Sequence, residues 1–255
     1  MRGRCIPCSG LGKRDRARMR ALMEDHFLGV HGRVFDRDLE DKDYAVMLTD
    51  GRGVLRGFTT FALVPAAAED EGWWVVYSGD TIVDRSARST FALAQTWIDS
   101  IRQLKRRRGI RDLAWLLICS GPRTYRFLPV FFREFFPRAG REAPAAVRDR
   151  LHRLAAARYG QAYDAASGIV RLAHPQPLRP ELLPQGDRPQ GRDVSFFLER
   201  NPGHRQGDEL ACFTVLDDDN LTAAGRRMVL GGKARRRSSA PPVPIGDLRA
   251  GLSGG

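Results

Sequence analysis

Hydrophobic and polar positions follow two different periods along the chain, and each change of period marks a predicted element. Over 13–30, apolar residues recur every third or fourth position, which is the spacing of one buried face of a helix. Two apolar runs at 44–49 and 54–64 flank the polar sequence DGRG and predict a β-hairpin. A strand over 73–84 and a helix over 89–107 are predicted to follow.

The second half of the chain adds a further strand that determines the kind of sheet. The remaining predicted elements are a buried strand, an aromatic segment, a helix and two short strands, at 112–120, 122–138, 143–160, 194–200 and 210–217. A helical crossover joins the strands at 73–84 and 112–120, so these two strands are expected to be parallel. The hairpin strands before them are antiparallel. The prediction is one mixed α/β sheet with an antiparallel N-terminal half and helices on both faces.

The net charge of +12 suggests nucleic-acid binding until the charge is located along the chain. Residues 1–20 and residues 226–255 each carry seven Lys or Arg against one Asp, so the stretch between them nets zero. Only non-specific attraction of nucleic acid to the basic ends is expected. We predict a disordered basic N-terminus at 1–12, a single domain at 13–225, and a disordered basic tail rich in Pro, Gly and Ser at 226–255.

The cysteines and the apolar runs indicate the cellular setting. Cys5-x-x-Cys8 has the spacing of half a zinc site or of a redox pair, but no second pair completes four ligands. No metal is therefore expected. Few cysteines without a disulfide framework favour a cytoplasmic location, and no secretory signal or membrane segment is indicated. The preference for Arg over Lys, with abundant Ala, Gly and Pro, is typical of a GC-rich bacterial genome.

The sequence SGDTIVDRSARSTFALAQTW, residues 78–97, predicts the end of a strand, a polar turn and the start of a helix. Free backbone N–H groups point out of a helix start, and such junctions bind phosphate in many folds. The turn contains Arg85, Arg88, Ser89 and Thr90 and no glycine. These four residues are the candidates for holding a phosphate.

The element order of 13–220 resembles that of the GNAT superfamily of acyl-CoA N-acyltransferases, as a divergent member. The resemblance is carried by VVYSGDTIVDRSARSTFALAQTWI and LAWLLICSGPRTYRFLPVFFREFF. The family's turn reads Arg/Gln-x-x-Gly-x-Gly/Ala; Arg85 matches its first position, whereas Arg88 and Thr90 replace its small residues. The resemblance implies a thioester donor as co-substrate, either acyl-CoA or, as in some members that deviate at this turn, acyl carrier protein. Its phosphate would be held by Arg85, Arg88, Ser89 and Thr90.

Acyl transfer to an amine needs a base for the ammonium and a donor for the thioester carbonyl oxygen. In the resembled family that donor is a backbone N–H at a bulge in the fourth strand, which implies Ile82 or Val83 here, within a bulge over Ile82 to Asp84. Asp80 lies in the same strand and is the candidate base, with a solvated face as the alternative. The family's general-acid Tyr has no clear match, because Tyr125 comes too early.

A different class of function stays open. The two altered glycine positions and the missing Tyr also describe a GNAT-like module that has lost transfer chemistry and binds a partner. The intact strand, Arg and helix order favours the enzyme, but the sequence does not name the amine acceptor.

Two further segments have two readings each. The aromatic sequence FLPVFFREFF, 127–136, either lines a channel for a long acyl chain or is an aromatic core. The turn with His204, Asp208 and Glu209 is either an acid–base or metal site or a polar loop.

Overall fold

One mixed β-sheet forms the centre of the protein in the computed structural model, which describes residues 1–87, 91–182 and 191–236. Its described strands β1 to β9 are Arg2–Pro7, Tyr44–Thr49, Leu55–Pro65, Trp73–Val83, Asp112–Cys119, Phe135–Phe136, Tyr163–Asp164, Ile169–Val170 and Glu209–Val215. The strand order is β1-β2-β3-β4-β5-β9-β8-β7, with β6 also paired to β9. Neighbouring strands are antiparallel except β4 and β5, which are parallel.

Helices cover both faces of this sheet. The described helices α1 to α8 are Lys13–Glu24, Gly32–Glu40, Ala92–Arg107, Pro122–Tyr125, Phe127–Phe131, Ala145–Tyr159, Arg192–Arg200 and Ala223–Arg236. The predicted mixed α/β sheet, with an antiparallel N-terminal half and helices on both faces, is confirmed. None of the helices in the described ranges combines the length and the apolar composition needed to cross a membrane.

The core consists of separate apolar clusters on the two faces of the sheet. On one face, α1 and α2 cover one end of β2 to β4, while α6 covers β4, β5 and β9. On the other face, α3 packs on the sheet together with α4, α5, α7 and α8. We call these the α1/α6 face and the α3 face. Thr60 of β3 lies between Phe58 of one cluster and Ala62 of the other, so a polar region separates the two apolar clusters of the α1/α6 face.

The N-terminal prediction is wrong, because residues 1–12 are not disordered. Arg2–Pro7 forms β1, which pairs antiparallel with β2 along its whole length, for example Cys5 with Val46. A single edge strand is held by backbone hydrogen bonds, and its side chains need not show the alternation of a half-buried strand. The sequence of residues 1–12 therefore shows no hydrophobic alternation from which strand β1 could be predicted.

The boundary of the predicted C-terminal tail is also corrected. Helix α8 continues through Arg226 to Arg236, and its Met228 and Val229 are buried in the core of the α3 face. The rest of the predicted tail, residues 237–255, lies outside the described residues. The tail prediction thus placed part of a packed helix outside the domain.

The strand predicted at 194–200 is wrong as well, since this segment is part of helix α7. Phe197 is fully buried and its ring packs on the ring of Tyr125, at 5.7 Å between centroids. Short apolar runs fit both the strand and the helix period, so their neighbours in the fold decide between them.

Replacing Gly225 with alanine tests the docking of α8. A Cβ there would collide with the carbonyl oxygen of Phe131 in α5 and would lie 3.1 Å from a methyl carbon of Leu221. Gly→Ala normally stabilises an exposed helix, but here overpacking is expected to cost about 1–3 kcal/mol. Urea denaturation measures the change, with Gly121→Ala as the control because a Cβ at that position meets nothing within 4 Å. A Gly225→Ala protein as stable as the wild type would contradict this packing.

Candidate functional site

Strands β4 and β5 separate part of the way along their length. Their parallel pairing runs from Trp73 opposite Asp112 to Tyr77 opposite Leu116. Beyond this point β4 continues to Val83 paired only with β3, and β5 continues paired with β9. We call the opening between Ser78–Val83 and Leu117–Cys119 the β4–β5 gap.

A β-bulge in β4 lies at the start of the β4–β5 gap. The register of β3 and β4 shifts by one residue at Gly79 and Asp80, which lie together opposite Thr60. The extra residue reverses the alternation of side chains along β4. Up to Tyr77, odd-numbered residues pack on the α1/α6 face, whereas after the bulge the even-numbered Ile82 does. The bulge therefore places Asp80 on the α1/α6 face, in the polar region between the two apolar clusters.

This geometry corrects the position of the bulge predicted from the sequence. Ile82 and Val83 lie in regular pairing with β3, and Ile82 is buried in the apolar cluster under α1. Asp84 instead caps the turn that follows, where its carboxylate accepts hydrogen bonds from the N–H of Ser86 at 2.8 Å and from its hydroxyl at 2.6 Å. Those bonds lower the pKa of Asp84. The irregular backbone of β4 lies two to three residues earlier, at Gly79 and Asp80.

The pKa of the Asp80 carboxyl is raised towards neutrality. Burial is the main cause that raises the pKa of this carboxyl to about 7, and the negative charge of Asp38 in α2 adds to the increase. The ammonium of Lys42 acts in the opposite direction. Near neutral pH the group is therefore close to half ionised, which suits a residue that accepts a proton.

Glu209, at the start of β9, is a second carboxyl with a raised pKa in the same polar region. It shares the α1/α6 face with Ala211 and Phe213 of the same strand. The pKa of Glu209 is raised to about 8, mainly by burial and then by the negative charges of Asp80 and Asp38. Burial also raises the pKa of Tyr159, at the end of α6, with Glu209 adding to it.

Lys42 lies over the bulge with little contact to solvent. It follows α2, its side chain is only 4% exposed, and its ammonium donates to a carboxylate oxygen of Asp38 at 2.6 Å. A Cβ on Gly79 would lie 2.6 Å from Cε of Lys42 and would collide with the hydroxyl of Thr60. Glycine is needed at 79 because the Lys42 side chain and Thr60 occupy this space.

The turn residues that invited an acid–base or metal reading do not act together. His204 contacts the carbonyl of Asn201 and the ring of Phe197, and burial lowers its pKa. Asp208 pairs with Arg171 at 3.3 Å. Only Glu209 contributes to the polar region described above. No group of three His, Cys, Asp or Glu side chains arranged for a metal ion occurs in the described part of the chain.

The predicted phosphate turn is only partly described. Arg88, Ser89 and Thr90 lie outside the described residues. Arg85 is exposed, and its guanidinium donates to the backbone carbonyl of Glu181 at 3.0 Å. Helix α3 begins at Ala92, close after this turn and on the other face of the sheet from Asp80.

The aromatic segment is part of the core and not a channel in the described residues. Leu128, Phe132 and Phe135 are buried in the cluster of the α3 face. Trp115 of β5 packs among them, and its indole N–H donates to the hydroxyl of Ser78 at 2.6 Å, across the start of the β4–β5 gap. These contacts support the aromatic-core reading of 127–136.

Tyr125 and the N-terminal cysteines have no catalytic arrangement. The hydroxyl of Tyr125 is buried and donates to the carbonyl of Pro137 at 2.8 Å. Burial raises the pKa of both Cys5 and Cys8 to about 11, so neither is a reactive thiolate near neutral pH.

Comparisons with known proteins find similar solved structures but little else. No protein-family model matches the chain, and no curated protein matches it. The E. coli GNAT family N-acetyltransferase YhbS, solved with CoA, is 19% identical over 50% of this chain and 67% of its own, with a TM-score of 0.37. A Trypanosoma brucei acetyltransferase is 16% identical over 56% of this chain and 100% of its own, with a TM-score of 0.38. Arabidopsis thaliana NAA60, solved with a bisubstrate analogue, is 18% identical over 55% of this chain and 86% of its own, with a TM-score of 0.36. Similarities this low do not transfer an activity.

Proposed function

We propose that the protein transfers an acyl group from a thioester donor to an amine, with Asp80 as the general base. The observation that carries this proposal is the position of a carboxyl of pKa about 7 at a backbone bulge, where β4 separates from β5. A base of this pKa deprotonates an ammonium ion without being fully protonated itself. The donor is proposed to be acyl-CoA, and the GNAT-like order of strands supports it.

The bulge supplies the second requirement of the reaction. Residues of a bulge are left out of the regular ladder, so their N–H groups are available to a ligand. We assign the stabilisation of the thioester oxygen to the backbone at Gly79 and Asp80, in place of Ile82 and Val83. Donor phosphates are proposed to lie at Arg85 and at the turn of Arg88, Ser89 and Thr90, before α3.

The rival function is a GNAT-like module that binds a partner without transfer. It is favoured by the contact of Trp115 with Ser78, because this hydrogen bond closes the start of the β4–β5 gap on the α3 face. In this view Asp80 has no substrate to deprotonate.

Calorimetric titration of the full chain with acetyl-CoA, followed by a thiol-release assay with a panel of amines, tests the proposal. We expect micromolar binding that weakens at least about tenfold in an Arg85→Ala/Arg88→Ala variant, because phosphate contacts are charge-assisted. The matched control is Arg106→Ala/Arg107→Ala at the exposed opposite end of α3, which should bind like the wild type.

The outcomes separate the two functions. Binding followed by thiol release supports the enzyme. Binding without thiol release for any amine supports the partner-binding module. If acetyl-CoA does not bind, coenzyme A is excluded as the donor.

A further inference from the structure

An amine of the protein itself already lies at the bulge. The ammonium of Lys42 is 3.3 Å from the position that a Cβ on Gly79 would occupy, and its Cε is 2.6 Å from it. Lysine is almost never buried to this extent unless it is paired, and Lys42 as a whole is only 7% exposed. Its charged end is therefore held beside the strand segment at which β4 leaves β5.

The ion pair with Asp38 explains the charge balance of Lys42 but not the direction of its side chain. Asp38 is 41% exposed, so the pair could form as well at the surface. The ammonium is instead turned inward, towards Gly79, Asp80 and Thr60. Thr60 is fully buried on the same face, and its hydroxyl has no hydrogen-bond partner among the described residues. A buried hydroxyl without a protein partner is free to form a hydrogen bond with a polar group placed beside it.

We propose that Lys42 is an acyl acceptor of this protein, so that the chain acylates its own Nζ from the thioester donor. This inference rests on the proposed function, because it uses the same donor and the same base. It goes beyond that function by naming a modification site.

The transfer balances as an ordinary aminolysis of a thioester. Asp38 holds the Nζ atom, and the ammonium of Lys42 gives one proton to Asp80. The nitrogen lone pair then forms a C–N bond to the thioester carbonyl carbon, and the C–S bond breaks with its electrons on sulfur. The thiolate takes up the remaining proton released from nitrogen. The products are a neutral amide on Lys42 and the free thiol.

Acylation would change the site in two ways. The amide carries no positive charge, so it loses the ion pair with Asp38 and no longer opposes the raised pKa of Asp80. The acyl group would also fill the polar region beside Asp80 that an external amine must reach. Acylated protein is therefore expected to transfer acyl groups to external amines more slowly than unmodified protein.

Peptide mapping by mass spectrometry tests this inference on the full chain, because the sequence has only four lysines: Lys13, Lys42, Lys105 and Lys233. The protein is incubated with acetyl-CoA and, in parallel, with the small thioester S-acetyl-N-acetylcysteamine, which needs no phosphate site. We expect Lys42 to be acetylated at least about tenfold faster than the exposed Lys13, because a positioned base typically adds about 10²-fold or more. Asp80→Asn should lower the rate at Lys42 and leave Lys13 unchanged, whereas Lys105→Arg should change neither.

Each outcome supports or overturns the inference. Equal rates at Lys42 and Lys13, or acetylation in urea with the same preference, would mean chemical acylation only and would overturn it. Transfer to added amines with Lys42 unmodified overturns the inference and leaves the proposed function standing. If neither reaction occurs with either donor, both are overturned. Modification by the small thioester but not by acetyl-CoA supports Lys42 and removes coenzyme A as the donor.

Discussion

Replacing Asp80 with asparagine is expected to lower kcat/KM for acyl transfer by about 10²- to 10⁴-fold, the usual contribution of a general base. Asparagine has nearly the shape of aspartate and keeps a polar group at the bulge, but it cannot accept the proton of the acceptor ammonium. Binding of acetyl-CoA should change little, because the proposed phosphate turn lies on the other face of the sheet. The loss is thus expected in the chemical step and not in donor affinity.

The pH profile distinguishes a lost base from a damaged site. With the pKa of Asp80 at about 7, kcat/KM of the wild type should rise with pH and level off above that value. The Asp80→Asn protein should be slow and lack this rise. Asp112→Asn, at the exposed first residue of β5, is the matched control and should behave like the wild type. A variant that keeps the wild-type rate and profile would exclude Asp80 as the base.

Local sequence was sufficient to predict the frame that carries this residue. The apolar runs of β4 and β5 and the helix between them determined two parallel strands, because a crossover of this kind has few alternatives. Asp80 was proposed as the base from its position within β4, and that role stays a prediction.

The sequence did not predict that Asp80, Glu209 and Lys42 lie together, because their proximity depends on one extra residue in β4. Without the bulge at Gly79 and Asp80, alternation would place Asp80 on the α3 face, away from Glu209 and Lys42. Nothing in the pattern of Ser78–Val83 marks where that extra residue lies. Lys42 had no signal at all, since a lysine after a helix is ordinarily at the surface.

The same dependence on distant contacts explains the errors in the fold. Strand β1 exists because β2 offers it a free edge, and α7 is a helix because Phe197 packs on Tyr125. In both cases the segment's own pattern was short or ambiguous, and a partner distant in sequence determined the structure.

The stability of the folded protein is expected to fall by about 6 kcal/mol between pH 5 and pH 8, since each unit of pKa shift corresponds to about 1.4 kcal/mol and both carboxyls contribute over most of this window. In the folded state the pKa of Asp80 is raised from 3.8 to about 7, and that of Glu209 from 4.5 to about 8. Over this window the folded protein therefore holds protons that the unfolded chain has already released. Stability decreases with rising pH wherever the folded state binds more protons than the unfolded chain. The loss of stability therefore continues until the pH passes the pKa values of the folded state.

Urea denaturation at several pH values measures this effect, and the comparison that isolates it is with an Asp80→Asn/Glu209→Gln protein. Neither amide titrates, so the double variant should lose much less stability between pH 5 and pH 8 and should be more stable than the wild type at pH 8. His204, whose pKa is lowered, contributes in the opposite direction, but equally in both proteins. The exposed pair Asp112→Asn/Glu142→Gln serves as the control and should follow the wild type. Wild type and double variant with parallel pH dependence would show that these carboxyls are not strained by their surroundings. The basis for a base at Asp80 would then be lost, because the burial that destabilises its charge is also what raises its pKa into the working range.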